Sequence, residues 1–254
     1  MATALVIEND PSDGPGRLGD WLTEGGLELA VLRPYAGDSL PDDLAGYAAL
    51  VVLGGEQQAY PRADGSPGAP WFPALEGLLR KAVRHRLPTL AVCLGAQLLA
   101  TAHAGQVERA AEPEAGPGIV GKRDAADRDP LFRWVPLMPD VLHWHVDEIT
   151  ELPHGATLLA ASTRCAHQAF RLGDRAWGLQ FHLECDAETV RDWATGSELL
   201  AELGFEPDLV VAAATRLLPD VEEAWQPFAI RFAALARGEL AEAEPRRDLP
   251  LLGH

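Results

Sequence analysis

Over its first hundred positions the chain alternates short, continuous apolar runs with amphipathic stretches. Residues 4–7, 27–32, 48–53 and 89–93 read as buried strands, because an unbroken apolar run has two faces to cover. Between them, 16–24, 71–85 and 94–104 carry helical periodicity; in the second, Leu75, Leu78, Leu79 and Val83 share one face. Residues 57–70 are rich in Gly, Pro, Ala and Asp and read as a loop. Strand and helix alternating through short joints predict an α/β fold, with a mostly parallel central sheet flanked by helices. After Gly116-Pro117-Gly118 the texture shifts to shorter strands at 141–145, 157–160, 168–171 and 176–181, separated by turns such as Leu172-Gly173-Asp174. These predict an antiparallel extension of the sheet. From Ala187 onward the pattern is helical, with apolar positions in 199–203, 209–217 and 228–235. No repeat or linker interrupts it, so the expectation is a single domain over 1–239, with a C-terminal helical extension at about 187–239. Residues 240–254 mix charge and proline without periodicity and are expected to form a disordered tail.

Composition narrows the function classes. The net charge of −17, from 38 acidic and 21 basic residues, repels phosphate backbones and argues against nucleic acid as a partner. No apolar run approaches the roughly 20 residues that span a bilayer, so no membrane partner is expected. Three cysteines, Cys93, Cys165 and Cys185, make neither a disulfide framework nor a zinc-type pair. The opening Met1-Ala2-Thr3-Ala4-Leu5 lacks a basic start, and the expected location is cytoplasmic.

The chemistry concentrates at two strand ends. Cys93 lies where an apolar strand turns into a helix, a position that offers a thiol free backbone N–H groups and positive potential. Further along, the strand in Trp177-Gly-Leu-Gln-Phe-His182-Leu-Glu184 ends in an imidazole and a carboxylate, two apart and therefore on one side. Thiol, base and orienting acid are the parts of a nucleophilic triad. His143, His145 and Asp147 alternate in phase on another strand, a pattern open to metal binding or to a buried hydrogen-bonding role.

Four motifs in order, Leu53-Gly54-Gly55, Cys93-Leu94-Gly95-Ala96-Gln97, His143-Trp144-His145-Val146-Asp147 and Gln180-Phe181-His182-Leu183-Glu184, resemble those of the class I (triad) glutamine amidotransferases. The resemblance runs from about residue 3 to 195 and points to stand-alone members similar to the amidotransferase domain of GMP synthetase, with a flavodoxin-like fold. It implies that Cys93 attacks a γ-glutamyl carboxamide, His182 moves the proton, and Glu184 orients His182. It implies backbone oxyanion donors at Gly55 and Leu94, and substrate contacts at Gly54, Gln97 and His145. It accounts for the His-x-His pattern without a metal, so no metal or cofactor is expected. Glutamine or another γ-glutamyl compound is the implied ligand. Ammonia would pass to a separate synthetase or acceptor subunit, and a homodimer is compatible with the pattern. A free-standing γ-glutamyl peptidase and a non-catalytic binding or scaffold member are the alternatives. The chain departs from the family pattern at Ala91 (glycine), Glu56 (often proline), Leu183 (proline) and Val146 (often glycine), which leaves the substrate open.

Overall fold

A computed structural model describes residues 2–240. In chain order its strands and helices are β1 (Ala2–Ile7), α1 (Gly16–Glu24), β2 (Leu27–Leu32), β3 (Ala49–Val52), α2 (Phe72–Arg84), β4 (Thr89–Val92) and α3 (Leu94–Thr101). There follow β5 (Gln106–Ile119), β6 (Gly121–Lys122), β7 (Asp140–Glu151), β8 (Thr157–Ala161), β9 (Ala169–Leu172), β10 (Ala176–Leu179), α4 (Ala187–Ala194), α5 (Glu198–Leu203) and α6 (Pro207–Ala236).

The main sheet has the order β2-β1-β3-β4-β10-β9-β8-β6. Pairings β1–β2, β1–β3, β3–β4 and β4–β10 are parallel, whereas β10–β9, β9–β8 and β8–β6 are antiparallel. The expected α/β class, parallel centre and antiparallel extension are all present. Alternation along the strands explains why the central runs are apolar throughout. Ala4, Val6, Val51, Leu90 and Val92 pack into one core beneath α1 and α6. Leu5, Ile7, Leu50, Val52 and Ala91 face the other core with α2 and α3. The order 2-1-3-4 is that of flavodoxin-like sheets, which open a crevice at the carboxyl ends of their strands. The loops leaving β1, β3, β4 and β10 meet at that edge.

Three departures from expectation have physical reasons. β5 and β7 form a separate antiparallel pair. The sequence Gln-Val-Glu-Arg-Ala-Ala-Glu-Pro-Glu-Ala-Gly-Pro-Gly-Ile has little β-propensity, and its pairing with β7 supplies what local preference does not. The three apolar stretches after 207 belong to one 30-residue helix, α6, which keeps Pro219 and Pro227 in its interior. It is held by burial: Trp225, Phe228 and Phe232 are within 1% of full enclosure, and Trp225 Nε1 donates to Asp140 O at 2.9 Å. The helix after Cys93 ends at Thr101 rather than 104, because Ala104 turns to φ +64°. The expected disordered tail lies outside the described residues except for Leu240.

Gly95 sets how closely α3 approaches the sheet. A Cβ there would sit 2.2 Å from Val52 O and 2.8 Å from its carbonyl carbon. Gly95→Ala is therefore expected to destabilise the protein by about 1–3 kcal/mol; an unchanged urea midpoint would contradict this account of the close approach.

Candidate functional site

Parallel pairing puts the ends of β4 and β10 side by side. Gly178 stands opposite Ala91 and Leu179 opposite Val92, and the Cys93 N–H donates to Leu179 O at 2.7 Å. Cys93 then leaves the strand at φ +49°, ψ −111°, and caps the N-terminus of α3. A non-glycine residue held at positive φ costs roughly 1–3 kcal/mol, and the surrounding sheet and helix impose it. The Sγ lies 3.8 Å from both Gln180 Nε2 and Trp144 O. The first N–H groups of α3, Leu94 among them, have no intrahelical partner at the helix end that Cys93 caps. Ala91, the departure at the start of this turn, is fully enclosed within β4 and faces the α2–α3 core, where its methyl group is accommodated.

His182 follows β10 by three residues and is fixed by a two-way backbone bridge with Leu142 of β7: its N–H donates to Leu142 O at 2.8 Å and its O accepts at 3.4 Å. Its Nδ1 is 2.5 Å from Glu184 Oε1. The ring stacks edge-on with Trp193 at 4.7 Å between centroids, and its buried Nε2 has no hydrogen-bond partner. Burial alone would lower the His182 pKa; the Glu184 carboxylate and the Cys93 thiol outweigh it and hold it well above the ordinary value. Glu184 is 1% exposed. The Leu183 N–H donates to its Oε2 at 2.9 Å, a bond that the family's proline could not make. The Arg17 N–H donates to Glu184 O at 2.8 Å. Here α1 begins on Gly16 at φ +42°, where a Cβ would be 2.2 Å from the same carbonyl oxygen.

Cys93, His182, Gly55, Gln97 and His145 line one cavity of about 530 Å³, together with Trp144 and Trp193. Gly54 borders it: a Cβ there would lie 2.2 Å from Asp13 Oδ2 and 3.3 Å from His182 Cε1. Gly55, at φ +155°, leaves similarly little room, with Gln57 Oε1 2.6 Å and Leu94 Cδ2 3.1 Å from a built Cβ. Gln97 reaches the cavity but donates through Nε2 to Asp147 O and Gln180 Oε1, each at 3.2 Å. Its amide thereby steadies Gln180, whose own Nε2 faces Cys93 Sγ. Leu94, Gly54, Cys93, His182 and Glu184 thus lie close together at the carboxyl edge of the sheet. Trp177 is in the core, its Nε1 donating to Asp129.

Asp147 meets His145 only through its backbone, with its O 3.0 Å from His145 Nδ1. Its carboxylate accepts from Tyr60 O–H at 3.2 Å, and the partner of the two imidazoles is Glu114 of β5. Glu114 Oε2 lies 3.2 Å from His145 Nε2 and Oε1 3.8 Å from His143 Nε2, while Gln168 donates to Oε2 at 2.8 Å. One donor atom from each of the three falls within 4.8 Å of the others, a carboxylate–bis-imidazole set whose chemistry suits a divalent cation. Burial pushes His143 down to about 4, which leaves its ring neutral at neutral pH. Because β5 was not legible as a strand, Glu114 had no predicted neighbour.

Asp13 was also missed, although it lies in the loop leaving β1 at the crevice edge, where such sheets collect ligand-binding groups. It is 5% exposed and lines the cavity, and its Oδ1 sits 3.9 Å from His182 Nδ1, too far to hydrogen-bond. Burial raises its pKa to about 7, with the attraction of His182 opposing and the negative charge of Glu184 assisting.

The family model for glutamine amidotransferase class-I matches residues 24–192. The chain belongs to that family. It is 31% identical over 186 residues to the glutamine amidotransferase-like protein YfeJ of Salmonella typhimurium, covering 72% of this chain and 76% of that one. It is 30% identical to gamma-glutamyl peptidase 3 of Arabidopsis thaliana over 66% of this chain and 67% of that protein. Against GMP synthase of Christiangramia forsetii it is 32% identical over 60% of its own length but only 27% of the relative's. Among solved structures, a glutamine amidotransferase from Thermotoga maritima superposes with a TM-score of 0.79 at 26% identity, over 91% of this chain and 98% of that one. One from Methylobacillus flagellatus gives 0.78 at 28%, over 97% and 98%. Among the described residues no helix is long and apolar enough to cross a membrane.

Two outcomes test this geometry. Leu183→Pro removes the N–H that holds Glu184 Oε2 and should cost about 1.5–3 kcal/mol, whereas Leu183→Met keeps the N–H and should cost less than about 1.5 kcal/mol; equal losses in urea titrations would contradict the anchor. Asp13 binds its proton more tightly folded (about 7) than unfolded (ordinary value 3.8), so the stability it lends is complete below pH 3.8 and lost as pH rises through 7. Asp13→Asn should gain on the wild type between those values, on the order of a few kcal/mol, and hold that advantage at higher pH. A difference independent of pH would overturn the assignment.

Proposed function

We propose that the chain hydrolyses a γ-glutamyl amide through a thioester on Cys93. The observation that supports this most is the opening of Cys93 Sγ and an unpartnered, buried His182 Nε2 into the same cavity. Cys93, as thiolate, attacks the amide carbon; the Leu94 and Gly55 N–H groups receive the developing oxyanion. His182, held by Glu184, gives its proton to the departing nitrogen and then takes one from the water that cleaves the thioester. The γ-glutamyl carboxyl product and the amine leave, and thiolate and imidazolium are regenerated.

With glutamine as substrate the amine is ammonia, for delivery to a separate acceptor enzyme in the cytoplasm. A free-standing γ-glutamyl peptidase reading is favoured by the Arabidopsis relative, matched over about two thirds of both chains, and by a cavity within the roughly 300–1,000 Å³ of small-molecule sites. A purely binding role fits poorly with a thiol and an imidazole that line one cavity.

A glutamine-analogue diazo-ketone is expected to alkylate Cys93, with Cys93→Ala abolishing the adduct seen by mass spectrometry. Glu184→Gln should lower kcat/KM by about 10³-fold with little change in fold. Ammonia release from glutamine, measured beside cleavage of γ-glutamyl dipeptides, separates the two enzymatic readings: rapid dipeptide cleavage with little glutaminase activity would sink the ammonia-donor reading. Absence of labelling with and without candidate acceptor enzymes would sink both.

A further inference from the structure

Five carboxylates line the cavity that holds Cys93: Asp13, Glu56, Asp147, Asp192 and Glu198, with no lysine or arginine among the lining residues. The chain as a whole has 21 basic residues against 38 acidic, so an all-acidic lining is more one-sided than composition requires. The five are not a local run of charge. Asp13 leaves β1, Glu56 follows the Gly54-Gly55 turn, Asp147 is on β7, Asp192 on α4, and Glu198 opens α5. Glu56, Asp192 and Glu198 are exposed and make no ion pair among the described residues. Asp13 Oδ1 is buried without a hydrogen-bond partner. Between these groups stand two tryptophans, Trp144 and Trp193, with ring centroids 5.5 Å apart and planes at 46°. Aromatic faces beside carboxylates are the chemistry that recognises alkylammonium groups.

A γ-glutamyl group brings one ammonium and one carboxylate. It needs one counter-anion, and for its carboxylate the lining offers no lysine or arginine, only the imidazoles of His145 and His182. The remaining carboxylates are in excess of what that half of the substrate can use. They raise the local concentration of cations at the mouth and repel an anionic leaving group.

We propose that the amide cleaved at Cys93 carries a cationic leaving amine, making the substrate class γ-glutamyl conjugates of alkyl diamines or polyamines. This rests on the γ-glutamyl hydrolase reading above. The chemistry is unchanged: the Cδ–N bond breaks, His182 protonates the released nitrogen, and water completes the acid. Glu56, Asp192 and Glu198 are specificity residues that hold the distal ammonium against the tryptophan faces.

The test compares kcat/KM for three γ-glutamyl amides on the full chain: those of 1,4-diaminobutane (cationic), n-butylamine (neutral) and γ-aminobutyrate (anionic). The expected order is cationic, neutral, anionic, with about tenfold between the first two. In the wild-type protein, about 0.5 M NaCl should shrink that ratio several-fold, since exposed charges are screened within a few ångströms at such strength. In the combined Glu56→Gln, Asp192→Asn, Glu198→Gln variant the ratio should fall towards one; the salt arm needs no folded variant. Equal rates on the cationic and neutral amides, faster cleavage of the anionic amide, or a preference that survives both salt and the triple substitution would overturn the proposal while leaving the hydrolase reading intact. Alkylation of Cys93 without cleavage of any of the three counts against this substrate class alone. No cleavage and no alkylation would overturn the hydrolase reading itself.

Discussion

The pairing of β4 with β10 is the constraint on which the rest of the site depends. These strands are distant in sequence yet adjacent and parallel in the sheet, and their last hydrogen bond runs from the Cys93 N–H to Leu179 O. Parallel strands deliver their carboxyl ends to the same edge, so the residue after β4 and the residues after β10 meet without any long loop. Were the two antiparallel, Cys93 and His182 would lie at opposite edges. The positive φ of Cys93 is the next consequence. The chain must leave the sheet plane at once to start α3, and Gly95 permits that by letting the helix lie against Val52 O. The strain at Cys93 is sustained because the strand on one side and the helix on the other are both fully packed.

The electrostatics follow from the same edge. His182 is enclosed between Glu184, which shares a short hydrogen bond with Nδ1, and Asp13, which faces the same nitrogen at longer range. Two carboxyls on one buried imidazole would repel each other if both ionised. Burial resolves this by raising Asp13 while Glu184, supported by the Leu183 N–H, keeps the direct contact with the ring. The result is an imidazole whose distal Nε2 is free to exchange a proton in the cavity.

Much of this was legible in the sequence because it was encoded locally. Apolar runs too continuous for a half-exposed sheet marked the parallel strands, and Gly54-Gly55, Cys93, Gln97, His182 and Glu184 stood at the ends of those runs. What was not legible was encoded by contact. β5, rich in Ala, Glu, Gly and Pro, is a strand only because β7 pairs with it, so Glu114 could not be placed beside His143 and His145, and Asp147 took its place in the sequence reading. Asp13 reaches His182 from the loop after β1, and no spacing rule connects positions so far apart in the chain. α6 runs through two prolines because tertiary burial outweighs their local cost.

The departures from the family pattern divide by where they lie, and this bears on how such a site changes substrate. Ala91 is enclosed in β4 and Leu183 is fully buried, so both are absorbed by the scaffold; the latter even returns a hydrogen bond to Glu184. Glu56 and Val146 instead reach the cavity. The reacting atoms are held by backbone geometry in which small shifts propagate, because parallel strands, helix start and bridge are shared among Cys93, His182 and Glu184. The rim is built from loop and helix residues that are exposed, Glu56, Asp192 and Glu198 among them, and its charges can change without moving Cys93. On the proposed hydrolase reading these are therefore the freest positions for a change of substrate. A carboxylate gained there would alter which amine is drawn in, without altering how its bond is broken.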